Sequence, residues 1–442
     1  MKLLRSLVAA GLILESSAAL AVPITSSAIP DGTVSGGASL VLPPRLETLT
    51  PGGSASSAGA DYIAGIDGLR RDDLASAESG FARAAATAPN SPEPLLGLAE
   101  VARRRKDLAL SEAQLQRALT VAPSRGDVQV AWAKFLIGQS RFPEAKTALD
   151  RAIALDPNAA RPRVDLGDLY LVLHQPDKAI EAYRAALAVA PSDGNIMMAL
   201  GNTLQQTGHA VEAVDLYQQA SRAAPRNPLP LISLGSAFAQ TGKTDEALKA
   251  YDQALALAPD SMAAHLAKGG LLLQADKPNP AAQEFQAALR TDPKNVAALL
   301  SLGIIDARAS RPDESKKWFQ QAFAVDHSVA DVMNNLAWQQ IGNKPELDRS
   351  LILARAAVDL SPQTAAYHDT LGWIYRARGE LPQAVGELEK AAAKGDDAAI
   401  LTHLGIVYQE TGDKARAAAT LQRALALDAN YAPALEARKA LK

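Results

Sequence analysis

Cysteine is absent from all 442 residues. That excludes disulfide staples, thiolate metal sites, a cysteine nucleophile and a lipidated-cysteine anchor. Histidine is scarce too, and His174, His209, His265, His327, His368 and His403 are scattered with no His-x-x-x-His pair. His368 has Asp369 beside it, and adjacent residues on a helix do not face each other. No glycine-rich phosphate loop is present. The sequence therefore offers no catalytic residue, no metal site and no cofactor site, and it reads as a non-enzyme. Excess charge is also missing: the net charge is −3, which gives no general surface for polyanions and no expectation of nucleic acid. Long apolar runs are lacking. The cleanest, Leu7 to Leu14, falls well short of the roughly 20 residues a membrane-spanning helix needs.

Proline, by contrast, is placed with regularity. Pro89, Pro123, Pro157, Pro191, Pro225, Pro259 and Pro293 stand 34 residues apart. A fixed period of that size marks a repeat array of helix–turn–helix units. Small residues keep the same step: Ala84, Ala118, Ala152, Ala186, Ala220, Ala254, Ala288 and Ala322 lie five places before the proline slot. Glycine or alanine recurs earlier in each unit, as at Ala133, Gly167, Gly201, Gly235, Gly269 and Gly303. A third small slot, as at Ala179, precedes by four residues an aromatic at Tyr183, Tyr217, Tyr251, Phe285 or Phe319. Small side chains let two antiparallel helices approach, and a large one on the same face covers the contact. Gly208, Gly242, Gly379 and Gly412 fall where the first helix must end in a left-handed cap. Pro143, Pro176, Pro312 and Pro382 suit a first helical turn.

These slots resemble the tetratricopeptide repeat family. Leu-Gly-Asp-Leu-Tyr (166–170), Ala179, Tyr183, Ala186 and Pro191 reproduce most of its pattern in one unit. The resemblance runs over 58–431 and covers about eleven units. It implies an all-α fold, a right-handed α-solenoid superhelix of helical hairpins, closed by a capping helix over 432–442 that hides the last apolar face. Departures are expected at the ends. Gly68 and Gly80 fall inside the first unit's helices, at a cost of about 1 kcal/mol each against alanine. His327 replaces a proline, Asn343-Lys344-Pro345 lengthens one turn, and Asp396 fills another proline slot.

Residues 1–21 read as a signal peptide: Lys2 and Arg5 form a basic start, and Ala19-Leu20-Ala21 a small-x-small cleavage site. A retained membrane anchor is the rival reading. Residues 22–57 are a Pro/Gly/Ser/Ala-rich leader expected to be disordered. The expected location is the periplasm of a Gram-negative bacterium.

In such an array the first helices of successive units align, and equivalent positions form columns. Gln206, Gln240 and Gln274 form one, and Asn195, Asn202 and Gln206 share a helix face. Amides both donate and accept, which suits a peptide backbone or sugar hydroxyls; solvation of the helix end is the plainer reading. Val164, Met198, Ile232, Leu266 and Leu300 form an apolar column, suited to a bound peptide or to packing between neighbours. Trp338 and Trp373 occupy equivalent slots and suit a peptide anchor, a sugar ring or the core. Arg103 and Arg104, with Arg70, Arg71, Arg105 and Lys106, form a basic cluster that could meet an acidic partner, an anionic polysaccharide or a lipid surface, or simply solvate a face. Asn-Asn-Leu-Ala-Trp (334–338) with Asp-Thr-Leu-Gly-Trp (369–373) is similar to a pair of units in bacterial envelope repeat proteins, including those accompanying exopolysaccharide export. The expected function is a scaffold that binds protein partners in a concave groove. Direct glycan contact in an exopolysaccharide system and an accessory role to an envelope enzyme stay open, as do peripheral membrane contact and the oligomeric state.

Overall fold

The computed structural model describes residues 57–342 and 346–441. The signal-like segment, the leader up to residue 56 and the Asn343-Lys344-Pro345 turn lie outside the described residues. Among the described residues every regular element is a helix. There are 23, and no strand. None is long and apolar enough to cross a membrane.

The chain divides into two compact units that meet in sequence at Gly242 and Lys243. The first contains α1 (Ser57–Arg70), α2 (Leu74–Thr87), α3 (Pro92–Arg104), α4 (Leu108–Val121), α5 (Gly126–Gly138), α6 (Phe142–Leu155), α7 (Arg161–Val172), α8 (Pro176–Val189), α9 (Gly194–Gln206), α10 (Ala210–Ala223) and α11 (Leu229–Gln240). The second contains α12 (Thr244–Leu257), α13 (Met262–Gln274), α14 (Pro278–Thr291), α15 (Val296–Arg308), α16 (Pro312–Val325), α17 (Val329–Gln339), α18 (Leu347–Leu360), α19 (Ala365–Ala377), α20 (Leu381–Lys394), α21 (Ala398–Glu410), α22 (Lys414–Leu427) and α23 (Ala432–Ala440). Odd-numbered helices are the first helices of hairpins. The last, α23, packs on α21 and α22, where Ala434 and Ala437 join Leu401, Leu421 and Ala424.

Ten turns from a first to a second helix contain one left-handed residue among the described residues. Gly208, Gly242, Gly379 and Gly412 take φ of +86°, +76°, +78° and +84°, as their type allows. The same slot holds Asp72, Lys106, Ser140, His174, Asp276 and Ser310, all near φ +54° to +62°. Six turns therefore use a side chain where glycine is the unstrained choice. The expected prolines do open second helices, in the first turns of α6, α8, α16 and α20.

The recurring glycine of the first helix is a seat for a ring. A Cβ on Gly167, Gly201 or Gly303 would stand 2.5–2.7 Å from Tyr183, Tyr217 or Phe319, sixteen residues later. Where the seat is alanine, as at Ala99, Ala133 and Ala337, the residue sixteen later is Leu115, Leu149 or Leu353, so bulk is traded across the contact. Gly80, expected as a weak point, lets two helix backbones approach instead: a Cβ there would lie 2.5 Å from the backbone nitrogen of Gly65, the glycine that seats the Phe81 ring. In the first unit one cluster gathers Leu95 to Phe135 and the next Val130 to Leu169. In the second unit one cluster runs from Leu266 to Ala417.

Candidate functional site

Successive first helices pack side by side within each unit, α5 on α7 and α9 on α11, and α17 on α19 and α19 on α21. Side chains on their free face are therefore lined up from repeat to repeat.

In the first unit this face is polar along one column and apolar along the next. The residue after the glycine seat is Asp168 on α7 and Asn202 on α9. Tyr183 donates its hydroxyl to Asp168 Oδ1 at 2.5 Å, and Tyr217 reaches Asn202 Oδ1 at 2.8 Å and Gln205 Oε1 at 3.0 Å. Burial, then the neighbouring Asp168 carboxylate, pushes the Tyr183 hydroxyl far above its usual range. Asn202 is thus already engaged by its own hairpin. Asn195 is exposed, Gln206 half-buried and Gln240 exposed, and none makes a side-chain hydrogen bond among the described residues. Val164, Met198 and Ile232 are half-buried beside them. In the second unit Gln274 is exposed, while Leu266 and Leu300 are buried in the core. The apolar column is open to a ligand in the first unit and closed in the second.

Four members of the basic cluster, Arg70, Arg103, Arg104 and Arg105, are paired within the fold. Arg103 makes a bidentate pair with the buried Glu100 carboxylate, both bonds 2.8 Å, and Arg104 reaches the same group at 3.0 Å. Arg104 also donates to the Leu69 carbonyl at 2.9 Å, and Arg105 to Glu78 at 2.6 Å, so this corner staples the second hairpin to the first. Arg70 pairs with Asp67.

The two tryptophans differ. Trp373 is half-buried, stacked on His403 at 4.1 Å between ring centres, with the Arg376 guanidinium 4.3 Å from its ring. Trp338 is 41% exposed and touches the same His403 at 5.7 Å. His403 Nδ1 meets Asp369 at 2.9 Å, and Arg376 makes a bidentate pair with Glu410. Tyr367 donates to Asp331 at 2.5 Å. The charges around the indoles are therefore paired internally. On α17, four residues before Trp338 and on the same face, Asn334 is buried with its Oδ1 unbonded. The spacing of 34 between Asp369 and His403 carried this pairing in the sequence. His368 meets Glu387 on α20, and not the adjacent Asp369.

Among the described residues no group of three or more metal-binding side chains comes together.

A solenoid of helical hairpins with an aligned first-helix face defines the class. The description "Tetratricopeptide repeat" matches residues 164–228, 232–296, 271–328 and 370–432, and a second model with the same description matches 136–183. The chain belongs to the tetratricopeptide repeat family. Among solved structures it is similar to pilF of Pseudomonas aeruginosa, at 21% identity over 46% of this chain and 91% of that one, with a TM-score of 0.40. It is also similar to a tetratricopeptide repeat protein of Parabacteroides merdae, at 21% identity over 64% of this chain and 98% of that one, with a TM-score of 0.38. These likenesses concern the repeat and nothing finer. No curated protein matches the chain. Proteins of this fold are typically non-catalytic scaffolds that bind protein partners.

Proposed function

We propose that the chain is a non-catalytic scaffold of the bacterial envelope, exported to the periplasm, that holds a peptide or helix of a protein partner on its first-helix face. The observation that carries this reading is the face of α9 and α11. Its amides Asn195, Gln206 and Gln240 are unengaged among the described residues, beside half-buried Met198 and Ile232. Unengaged amides can satisfy a backbone, and partly open apolar side chains can anchor alternate side chains of the ligand. The signal-like start of the sequence supports the location.

Photo-crosslinking in cells tests both parts. A crosslinker at Gln206 or Gln240 should capture a discrete protein from the periplasmic fraction, and one at exposed Val211 on α10 should not. Equal capture from both positions would sink the face assignment. Recovery of the protein in the cytoplasmic fraction would sink the location. Capture of glycan without protein would replace this reading with a direct role in exopolysaccharide handling.

A further inference from the structure

One slot of the first helix varies in a telling way. It is occupied by buried Met197 on α9, Leu231 on α11 and Leu299 on α15. On three other helices it is occupied by a nitrogen donor that reaches back to the repeat's own proline turn. Arg163 on α7 donates to the Pro157 carbonyl at 2.8 Å and the Ala159 carbonyl at 2.6 Å. His265 on α13 places Nε2 2.9 Å from the Pro259 carbonyl. His368 on α19 places Nε2 3.0 Å from the Pro362 carbonyl. The proline lies six residues before the donor in all three.

The two histidines differ from Arg163 in a second contact. Nδ1 of His265 lies 2.6 Å from Glu284 Oε2 on α14, and Nδ1 of His368 lies 2.7 Å from Glu387 Oε2 on α20. The glutamate follows by nineteen residues in both. Each ring thus faces an acceptor at both nitrogens. A neutral imidazole carries one N–H and can satisfy one of them; only the imidazolium satisfies both. Arg163 donates to its turn whatever the pH, because a guanidinium does not lose its charge.

We propose that His265 and His368 are proton-dependent clamps, which tie the proline turn of their repeat to both of its helices when doubly protonated and release one side when neutral.

The surrounding charges leave each ring a single ionic neighbour. Glu284 is shared with Lys268 of α13 at 2.6 Å, and Lys268 also meets Asp252 of α12 at 2.7 Å. Glu387 is shared with Lys390 of α20 at 2.8 Å. Asp369, next to His368, is turned to His403 of α21, Asp331 of α17 is taken by Tyr367, and Arg355 of α18 by Tyr375. Lys268 and Lys390 give each glutamate a second cationic partner that remains when the ring is neutral, so the ring is the group that switches. Both contacts of each ring are met only by the imidazolium, which acid favours, so the tie is complete at low pH and loosens at high pH. Histidine changes charge between about pH 5 and 8.

Hydrogen exchange of the full chain, corrected for the intrinsic pH dependence of the chemistry, reads the clamps directly. Amides over 260–265 and 363–368 should exchange roughly tenfold more slowly at about pH 5.5 than at about pH 8, the scale of one charge-assisted bond. Amides over 158–163, held by Arg163, should show no such difference in the same sample. In the double variant His265→Arg, His368→Arg the protection should become independent of pH, as in the α7 repeat. The variant's helix content by circular dichroism reports that it has folded. If it has not, histidine ring nitrogen shifts of the wild-type chain decide: both rings must be doubly protonated at the acid end and lose one proton toward the alkaline end. Flat exchange at both histidine turns, a pH effect that survives the double arginine variant, or rings that stay neutral at pH 5.5 would each overturn the proposal.

Discussion

Gly167 lies directly under the ring of Tyr183: a Cβ on that glycine would stand 2.5 Å from Cε1, and the ring's hydroxyl goes on to Asp168 at 2.5 Å. Helices α7 and α8 therefore approach this closely only because one residue has no side chain. Gly167→Ala should lower stability by about 1–2 kcal/mol, the strain of overpacking less the helix propensity gained. Adding Tyr183→Leu should recover much of the loss, since it rebuilds the Ala133–Leu149 contact found one repeat earlier. Urea unfolding of the single and double variants checks this. A double variant no better than the single one would show that the ring–glycine contact is not what sets the spacing.

The left-handed turn slot offers gains rather than losses. Lys106→Gly and Ser140→Gly, at φ +62° and +58°, should each add up to about 1 kcal/mol by removing the Cβ clash. The flexibility that glycine adds to the unfolded chain offsets part of that. Thermal melts are sufficient to see the direction, and a fall in melting temperature for both would contradict it.

Lys134 is buried, with Asp165 3.8 Å away and Arg161 competing for that carboxylate at 3.0 Å. Burial holds its ammonium below the ordinary lysine range, with Asp165 pulling the other way. The unfolded chain then binds more protons than the folded one in the window just below the ordinary lysine value. Stability should rise with pH there. Lys134→Met should be neutral or stabilising by up to about 2 kcal/mol and should remove that rise. Denaturant titrations at two alkaline pH values test both parts. A strongly destabilised variant would mean that the ion pair outweighs its desolvation.

The two tryptophans should separate in their effects. Trp338→Ala removes a ring that is 41% exposed and should leave the melting temperature nearly unchanged while weakening a partner bound at this face by roughly tenfold or more. Trp373→Ala removes the ring between His403 and Arg376 and should cost about 1–3 kcal/mol of stability. Paired melting and binding measurements distinguish them, and equal stability losses would refute the assignment.

Much of this was written at the level of spacing. The proline step fixed the hairpins, and the glycine-to-aromatic offset follows from placing a ring on a seat one hairpin turn away. The left-handed slot was visible at Gly208, Gly242, Gly379 and Gly412 because glycine advertises it. It was invisible at His174 and Ser140, where the flanking helices impose the conformation on a residue that does not prefer it. Partner choice was the harder part. Arg103 and Arg104 looked like free cations because Glu100, three and four residues back, reads as one more solvated charge until its burial is known. Asn202 looked like a ligand donor because nothing in its own helix announces the Tyr217 hydroxyl fifteen residues on. The histidine clamps depend on a carbonyl, which has no letter in the sequence.

The ring seated on its own glycine has a consequence for how such a chain can change length. The tight fit from Gly201 to Tyr217 is closed within one hairpin, so that step carries both of its halves. Losing or gaining a whole 34-residue step removes or adds a lock together with its key. A deletion of residues 194–227 would bring Asp193 to Pro228 with the neighbouring locks intact, whereas a deletion of half that length would strand a ring without its seat. The array is thus editable in whole courses, like masonry, and brittle to any cut within one.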